Sequence, residues 1–383
     1  MGFIDFIQQA VVSIFIAYIG FTNSLAIHLE NFFLGDLVQT NRVADTVDTS
    51  FKKIVTGAEK FTDTIPRVLL ENQSFQRAAI HASTQDTDII NTPSTTPIET
   101  VIAHALVNIY CQYKTDEFIR TTTGTGFFIN QKGVILTNAH VAQFLLLEDV
   151  HDVIHDVECV IRTGNPAEPK YKAKLLYISP TWIYENAHLI DTETPRGTGE
   201  RDYALLYISD TTDHTPLPTR FPSIQINTNL LARSVEGTLV YDAGYPAEKL
   251  IQYGSDTELA PVIAQASIGT LYTFGSNYAD IFSISESPVG EHGASGGPVI
   301  HKDDDTVIGV IVTKGDLATE GEKSLRALTL SYINRTITEE TGFSLTQNMQ
   351  GDVALRGRVF KEAIGPFLTG LLTDELKHTL NGN

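Results

Sequence analysis

The chain has 383 residues, of which 42% are hydrophobic, and its 27 lysines and arginines are outnumbered by 46 aspartates and glutamates. The resulting net charge of -19 repels phosphate backbones, and no basic patch interleaved with aromatic residues is present. This balance excludes nucleic acid as a partner.

The N-terminal stretch at residues 6–27 contains no charged residue. A helix of about 20 apolar residues, at ~1.5 Å each, is long enough to cross a bilayer. Three interpretations stay open: a membrane anchor, a cleaved signal peptide and a buried or interfacial helix. Ser24 and Ala26 form a small-x-small cleavage site, but the basic n-region of a signal peptide is missing. We assign residues 1–29 to a transmembrane anchor or signal segment and favour the anchor.

Residues 30–82 are predicted to form a helical stalk. Between Phe33 and Ile65, mostly apolar side chains recur at alternating spacings of four and three, which is a heptad pattern. Such a stalk would self-associate into a homo-oligomer, although Thr40, Ala44 and Ala58 would contribute little apolar contact between the helices. The alternative is an amphipathic helix that lies on the membrane or on the following domain. Residues 83–99 are rich in Ser, Thr and Pro and predict a flexible linker.

From residue 100 onward the chain turns to short apolar runs separated by Gly and Pro. The runs lie at residues 107–113, 126–130, 158–162, 203–208, 237–241, 266–274 and 307–313. This pattern favours β-barrels over a parallel sheet. Residues 298–300 and 307–308 predict a hairpin, and residues 367–380 predict a helix that covers the second barrel.

The positions of the cysteines and histidines raise the questions of a disulfide and of a metal site. Cys111 and Cys159 are either a disulfide, which suits an oxidising compartment and adds about 4 kcal/mol, or two separate buried side chains. His151 and His155 share a helical face, but no third ligand accompanies them, so we interpret this segment as a solvated loop. No metal and no cofactor are predicted.

Residues 293–298 read Gly-Ala-Ser-Gly-Gly-Pro, a tight loop that displays Ser295. A serine nucleophile needs a general base and a pair of donors for the oxyanion. His140 ends an apolar strand pattern and is the candidate base, and Asp202 heads another and is the candidate partner of the imidazole. The backbone N–H groups of Gly293 and Ser295 are the predicted oxyanion donors, because glycine permits the required backbone dihedrals.

With these residues the sequence resembles the trypsin-like serine proteases, and within them the bacterial HtrA-like (Deg-type) peptidases. The four matching segments are residues 124–129, the Thr-Asn-Ala-His segment ending at His140, the segment starting at Asp202 and the Ser295 loop. Their order, His then Asp then Ser, is the chymotrypsin-type order. The resemblance implies a mainly β fold with two six-stranded antiparallel β-barrels at residues 100–215 and 216–345, preceded by the N-terminal helical region. Residues 346–383 would then form a C-terminal helical segment.

Two features depart from these families. Trypsin-type zymogens have an aspartate directly before the nucleophile, whereas this chain has Ala294 and no Ile-Val-Gly-Gly start. Activation through that ion pair is therefore excluded, and the stabilisation of the loop is left unexplained. About fifty residues follow Ile333, too few for the PDZ domain that is typical of HtrA proteins.

The resemblance places the specificity pocket near Val289, Val312 and Thr313. Apolar walls of this kind favour a medium aliphatic side chain in the substrate. We therefore predict a membrane-anchored serine endopeptidase, with its protease domain in the periplasm or at the cell surface, that hydrolyses polypeptides in general proteolysis or quality control. Two alternatives stay open: an inactive protease-fold binding module, and a membrane-attached assembly protein whose stalk is the functional part.

Overall fold

The computed structural model describes residues 97–114, 119–150, 156–190, 199–247, 258–275, 277–285, 287–289, 293–314 and 325–381. All of them belong to one unit, residues 94–383. The predicted anchor at 1–29, the stalk at 30–82 and most of the linker lie outside the described residues. Across the described ranges, we find no helix with the length and apolar character needed to cross a bilayer.

The first six strands close into an antiparallel barrel. They are β1 (Leu106–Lys114), β2 (Ile119–Phe128), β3 (Val134–Thr137), β4 (Asp156–Thr163), β5 (Glu168–Ile178) and β6 (Ala204–Thr211). Their order around the barrel is β1-β2-β3-β6-β5-β4. In the middle of β5, at residues 170–175, every second residue is buried, which is the pattern of a strand with one face towards a core. Ile109, Phe127, Ile135 and Leu206 are among the fully buried residues of this barrel.

Cys111 and Cys159 form a disulfide in the first barrel. The two residues lie directly opposite each other on β1 and β4, with their Cα atoms 4.1 Å apart. The bond closes a loop with a sequence separation of 48 residues. By restricting the unfolded chain, a bond that closes a loop of this size contributes about 4 kcal/mol to stability. The disulfide alternative left open by the sequence is therefore the one observed.

The next six strands close into a second antiparallel barrel. They are β7 (Leu239–Gly244), β8 (Val262–Tyr272), β9 (Ile281–Ile284), β10 (Pro298–His301), β11 (Thr306–Lys314) and β12 (Leu325–Thr329). Their order is β10-β11-β12-β9-β8-β7. An apolar cluster that includes Val240, Phe282 and Val299 fills its interior. The predictions of two six-stranded barrels and of the β10–β11 hairpin are confirmed.

Helices lie before, between and after the strands. They are α1 (Ile98–Ala105), α2 (Ala139–Ala142), α3 (Pro180–Asn186), α4 (Leu330–Thr341), α5 (Leu345–Asn348), α6 (Val353–Ala363) and α7 (Gly365–Asn381). Helix α4 begins directly after β12, where the Thr329 hydroxyl accepts the N–H of Tyr332 at 3.0 Å. It ends at Thr341 and is followed by Gly342, whose φ of 76° is in the left-handed region that glycine adopts readily.

The last helix packs on the first barrel, so the prediction that it covers the second barrel is wrong. Helix α7 contacts α3 and the single helical turn at Gln143–Leu146, both of which are connections within the first barrel. The Thr369 hydroxyl donates to the carbonyl oxygen of Leu146 at 2.9 Å. Leu368, Leu372 and Leu376 are spaced by four and are all buried. Helix α6 contacts β5 and β6 and thereby brings the chain to this side before α7 begins.

Candidate active site

His140 and Asp202 form a doubly hydrogen-bonded pair. Nδ1 of His140 lies 2.7 Å from Oδ2 of Asp202, and the backbone N–H of His140 donates to Oδ1 at 2.9 Å. Asp202 is buried, with 5% of its surface exposed, whereas the His140 side chain is 19% exposed. Because an ionised carboxylate can only accept hydrogen bonds, Nδ1 carries the proton and Nε2 is left as a proton acceptor.

The strand pairing of the first barrel brings these two residues together. Strands β3 and β6 are antiparallel, and Thr137 at the end of β3 lies opposite Ala204 at the start of β6. His140 follows β3 in the first turn of α2, and Asp202 precedes β6. The side-chain amide of Asn138 donates to the carbonyl oxygen of Asp202 at 2.8 Å and ties the two segments together.

Ser295 is half-buried on a loop that two glycines bend sharply. Gly293 has a φ of 93° and Gly296 a φ of 88°, both in the left-handed region. A Cβ atom at Gly293 would lie 2.6 Å from the carbonyl oxygen of Tyr245, and one at Gly296 would overlap the carbonyl oxygen of Thr125. Both positions therefore require glycine for conformation and for space.

The two predicted oxyanion donors are not engaged by other described residues. On the same loop, the N–H of Gly296 donates to Ile311 O at 2.8 Å and that of Gly297 donates to Ala294 O at 2.9 Å. The N–H groups of Gly293 and Ser295 make no such bond within the described part of the chain. A pair of unengaged amides beside a serine hydroxyl is what a developing oxyanion requires.

Thr125 connects the Ser295 loop to the first barrel. Its N–H donates to Ser295 O at 2.8 Å, and its hydroxyl donates to Gly293 O at 2.6 Å. Its carbonyl oxygen accepts the hydroxyl of Thr137 at 2.7 Å, three residues before His140. The serine loop and the histidine segment are thus joined through one buried threonine. Between the described side chains of Ser295 and His140 themselves, no hydrogen bond is formed.

Sequence reasoning did not assign a role to Thr125 or Thr137. The signal that points to Thr125 is its position between Gly124 and Gly126, which both make close packing contacts. A Cβ atom at Gly124 would lie 2.5 Å from Val141, and one at Gly126 would lie 2.7 Å from Ile135. The close contacts of both glycines indicate that Thr125, a polar residue between them, lies where segments of the chain pack tightly.

Burial of Ala294 accounts for the stability of the loop without an ion pair. Its side chain is 1% exposed and belongs to the apolar cluster of the second barrel, with Val289, Val299 and Ile311. A Cβ atom at Gly244 would approach Ala294 Cβ to 3.3 Å, so glycine leaves room for the loop here. A carboxylate at position 294 would have to be buried among these groups, which is unfavourable without a partner.

The residues predicted to line the substrate pocket are deeply placed. Val289 is fully buried in the apolar cluster, and Val312 is 3% exposed. The side chain of Thr313 lies outside the described residues. Because Val289 and Val312 are buried in this structure, their contact with a substrate stays a prediction.

A buried carboxyl group lies beneath the segment that leads to the loop. Asp242 is fully buried on β7 and accepts the hydroxyl of Ser287, which in turn accepts the N–H of Val289 at 3.0 Å. Burial raises the pKa of Asp242 to about 6. Its other carboxyl oxygen, Oδ1, has no hydrogen-bond partner among the residues that the structure describes. Asp242 therefore favours its protonated form more than an exposed aspartate does.

Metal-binding clusters are not found among the described residues, in which no group of three or more His, Cys, Asp or Glu side chains could hold an ion. His151 and His155, with the segment 151–155 that contains them, lie outside the described residues.

Comparisons with known proteins give one family match and similarity to a solved structure. Residues 124–310 match the family of trypsin-like peptidase domains. Among solved structures, the chain is similar to the active form of the Rv3671c protease from M. tuberculosis, with a TM-score of 0.38 and 18% sequence identity. That similarity covers 67% of this chain and 86% of the other. No curated protein matches the sequence.

Proposed function

Because residues 124–310 form a trypsin-like peptidase domain, we propose that the protein is a serine endopeptidase with His140, Asp202 and Ser295 as its catalytic triad. The observation that carries the proposal is the 2.7 Å contact between His140 Nδ1 and Asp202 Oδ2, which leaves Nε2 as a base. The N–H groups of Gly293 and Ser295, which no described residue engages, support it.

The reaction follows from the charges that develop. Ser295 Oγ attacks the peptide carbonyl carbon while His140 Nε2 takes the hydroxyl proton, and Asp202 stabilises the imidazolium that results. The carbonyl oxygen becomes an oxyanion held by the N–H groups of Gly293 and Ser295. The imidazolium then protonates the leaving amine, and an acyl-enzyme remains on Ser295. Water, deprotonated by His140, attacks this ester and releases the second product.

A fluorophosphonate probe tests this proposal, because it reacts only with an activated serine. We expect labelling of the full chain at Ser295, and loss of labelling in Ser295→Ala and His140→Ala. His301→Ala is the matched control, since His301 also contacts an aspartate, Asp304 at 3.3 Å, but at the surface. Labelled casein should be cleaved by the wild type and His301→Ala only. A folded wild-type protein that neither labels nor cleaves casein would refute the proposal.

The alternative function is that of an inactive protease-fold binding or assembly module. It is favoured by the absence of a hydrogen bond between the described Ser295 and His140 side chains. Catalytic hydrogen bonds are often long before substrate binds, so this observation is compatible with both functions. The alternative predicts that Ser295→Ala binds polypeptide as the wild type does while neither protein labels.

The preferred substrate is proposed to carry a medium aliphatic side chain before the scissile bond. Val289 and Val312, the residues predicted to line the pocket, are apolar and would leave a buried lysine or arginine without a counter-charge. Peptide p-nitroanilides ending in valine, leucine or lysine compare these preferences directly. Faster cleavage after lysine would contradict the assignment.

The N-terminal segment is proposed to tether the protease domain to a membrane on the extracytoplasmic side. The uncharged residues 6–27 and the Cys111–Cys159 disulfide, a bond typical of oxidising compartments, support this placement. In the expressing cell, the chain should resist alkaline extraction from membranes and be digested by protease added outside. Release of the full-length chain by alkaline extraction would contradict the tether.

A further inference from the structure

Helix α4 holds the residue on the N-terminal side of Asp202. The backbone N–H of Arg201 donates to the hydroxyl oxygen of Tyr332 at 3.2 Å. The guanidinium donates to Glu340 at 2.9 Å and to Glu339 at 3.3 Å. Both the main chain and the side chain of Arg201 are therefore bound by one helix.

The residue on the C-terminal side of Asp202 is bound by the same helix. The hydroxyl of Tyr203 lies 2.9 Å from Thr336 Oγ1. Because the Thr336 hydroxyl donates to Tyr332 O at 3.0 Å, Tyr203 is the donor in this contact. Tyr203 is fully buried, so its hydroxyl has no access to water in place of Thr336.

The backbone at Arg201 is held in a conformation that arginine adopts only rarely. Its φ is 56°, in the left-handed region, and it lies in a turn closed by the Asp202 N–H donating to Gly199 O at 3.2 Å. A non-glycine residue stays in this region only where its surroundings compensate for the strain. The contacts with Tyr332 and Glu340 supply that compensation.

Glu340 is fixed from the first barrel as well. Its carboxylate accepts the hydroxyls of Tyr177 and Ser179, the latter at 2.9 Å, besides the Arg201 guanidinium. Because three donors bind one partly buried carboxylate, the Glu340 side chain has little freedom to rotate. Glu340 is thus a rigid anchor for the segment that carries Asp202.

We propose that helix α4 positions the catalytic carboxylate. The helix forms hydrogen bonds with Arg201 and Tyr203, on either side of Asp202, and so holds the Asp202 side chain against His140. This inference rests on the proposed function. Tyr332, Thr336 and Glu340 are positioning residues in this arrangement, since none of them contacts His140 or Ser295 in the described structure. Helix α4, which begins at the end of the second barrel, thereby positions Asp202 of the first barrel.

The sharpest test compares two threonines of the same helix. Thr336 and Thr341 are both buried, and each donates to the carbonyl oxygen four residues earlier, at 3.0 and 2.6 Å. Only Thr336 contacts Tyr203. Thr336→Val therefore removes the contact on the C-terminal side of Asp202. Thr341→Val is the control for lost helix stability, and it also removes the acceptor of the Phe343 N–H and of the Asn348 amide, each at 3.1 Å. Arg201→Gly is the second variant, because glycine keeps the left-handed backbone and the N–H that binds Tyr332, and removes the side chain with its guanidinium.

Hydrolysis of p-nitrophenyl acetate by the full chain provides kcat and KM. Losing the orienting aspartate altogether costs roughly 10⁴ in kcat, so a displaced one should cost about five- to fiftyfold. We expect this loss in Thr336→Val and Arg201→Gly, with KM within about twofold of the wild type.

The proton on His140 Nδ1 gives a readout that does not depend on activity. Its downfield NMR resonance should broaden or move upfield in Thr336→Val and Arg201→Gly and stay unchanged in Thr341→Val. If the wild type proves inactive, this resonance still tests the positioning role, so failure of the proposed function is distinguishable from failure of this inference. Unchanged resonances in both variants would refute it, as would equal changes in Thr341→Val.

Discussion

Replacing Thr125 by valine tests how the oxyanion loop is held. Valine has nearly the shape of threonine, so the change removes the hydroxyl and leaves the packing in place. That hydroxyl donates to Gly293 O at 2.6 Å and accepts the N–H of Tyr245 at 2.9 Å. Thr125 is fully buried, so water has little access to the two groups that lose their partner.

The size of the effect follows from those two groups. A buried polar group left without a partner costs about 1–3 kcal/mol, so two of them lower the free energy of unfolding by ~2–6 kcal/mol. The loop that presents the N–H groups of Gly293 and Ser295 also loses an attachment. Complete loss of one oxyanion donor costs roughly 10²–10³ in kcat, so we expect a loss of at least about tenfold from a misaligned pair.

Urea unfolding and the rate of fluorophosphonate labelling measure the two effects separately. Thr125→Ser keeps the hydroxyl and should restore most of the labelling rate. Thr211→Val is the control for stability, because the Thr211 hydroxyl is also buried and donates to Thr215 O at 2.7 Å, but on β6. Should Thr125→Val label as fast as the wild type, the hydroxyl would have no role in holding the loop.

Three further substitutions test the surroundings of the loop. Gly293→Ala places a Cβ atom 2.6 Å from Tyr245 O on a residue with a φ of 93°, so the rate of fluorophosphonate labelling should fall by roughly a hundredfold or more. A tenfold loss or less would contradict our assignment of the oxyanion donors. Ala294→Asp buries a carboxylate in an apolar cluster, so the free energy of unfolding measured in urea should fall by about 3 kcal/mol or more. An unchanged free energy of unfolding would show that the side chain at position 294 is not confined. Burial raises the pKa of Asp242 from 3.8 to about 6, so the folded state binds more protons and the free energy of unfolding falls as pH rises through this window, by on the order of 3 kcal/mol. In Asp242→Asn the fall between pH 4 and 6 in unfolding curves should be smaller by about this amount, and a fall equal to that of the wild type would exclude Asp242 as a cause.

The chemistry of the candidate site was readable from the sequence because it depends on residue types in short segments. The Gly-Ala-Ser-Gly-Gly-Pro run, the histidine after a strand and the aspartate before one are each local patterns, and their order indicates one fold family. Barrel strands with plain apolar runs were predicted for the same reason. Strands β5, β9 and β12 were not predicted. Strand β5 begins with exposed residues, and the short β9 and β12 adjoin neither the histidine segment nor the Ser295 loop, which marked the equally short β3 and β10.

Tertiary structure alone decided what depends on segments far apart in the chain. Cys111 and Cys159 are equally compatible with a bond or with separation until the pairing of β1 with β4 sets them opposite each other. The apolar stripe of helix α7 does not itself specify a barrel, and the path of the chain through α6 brings the helix to the first one. Thr125 contacts residues 168 and 120 positions away, which no local pattern reveals. Sequence patterns specify the type of each element because periodicity and residue chemistry act locally, whereas packing selects which elements meet.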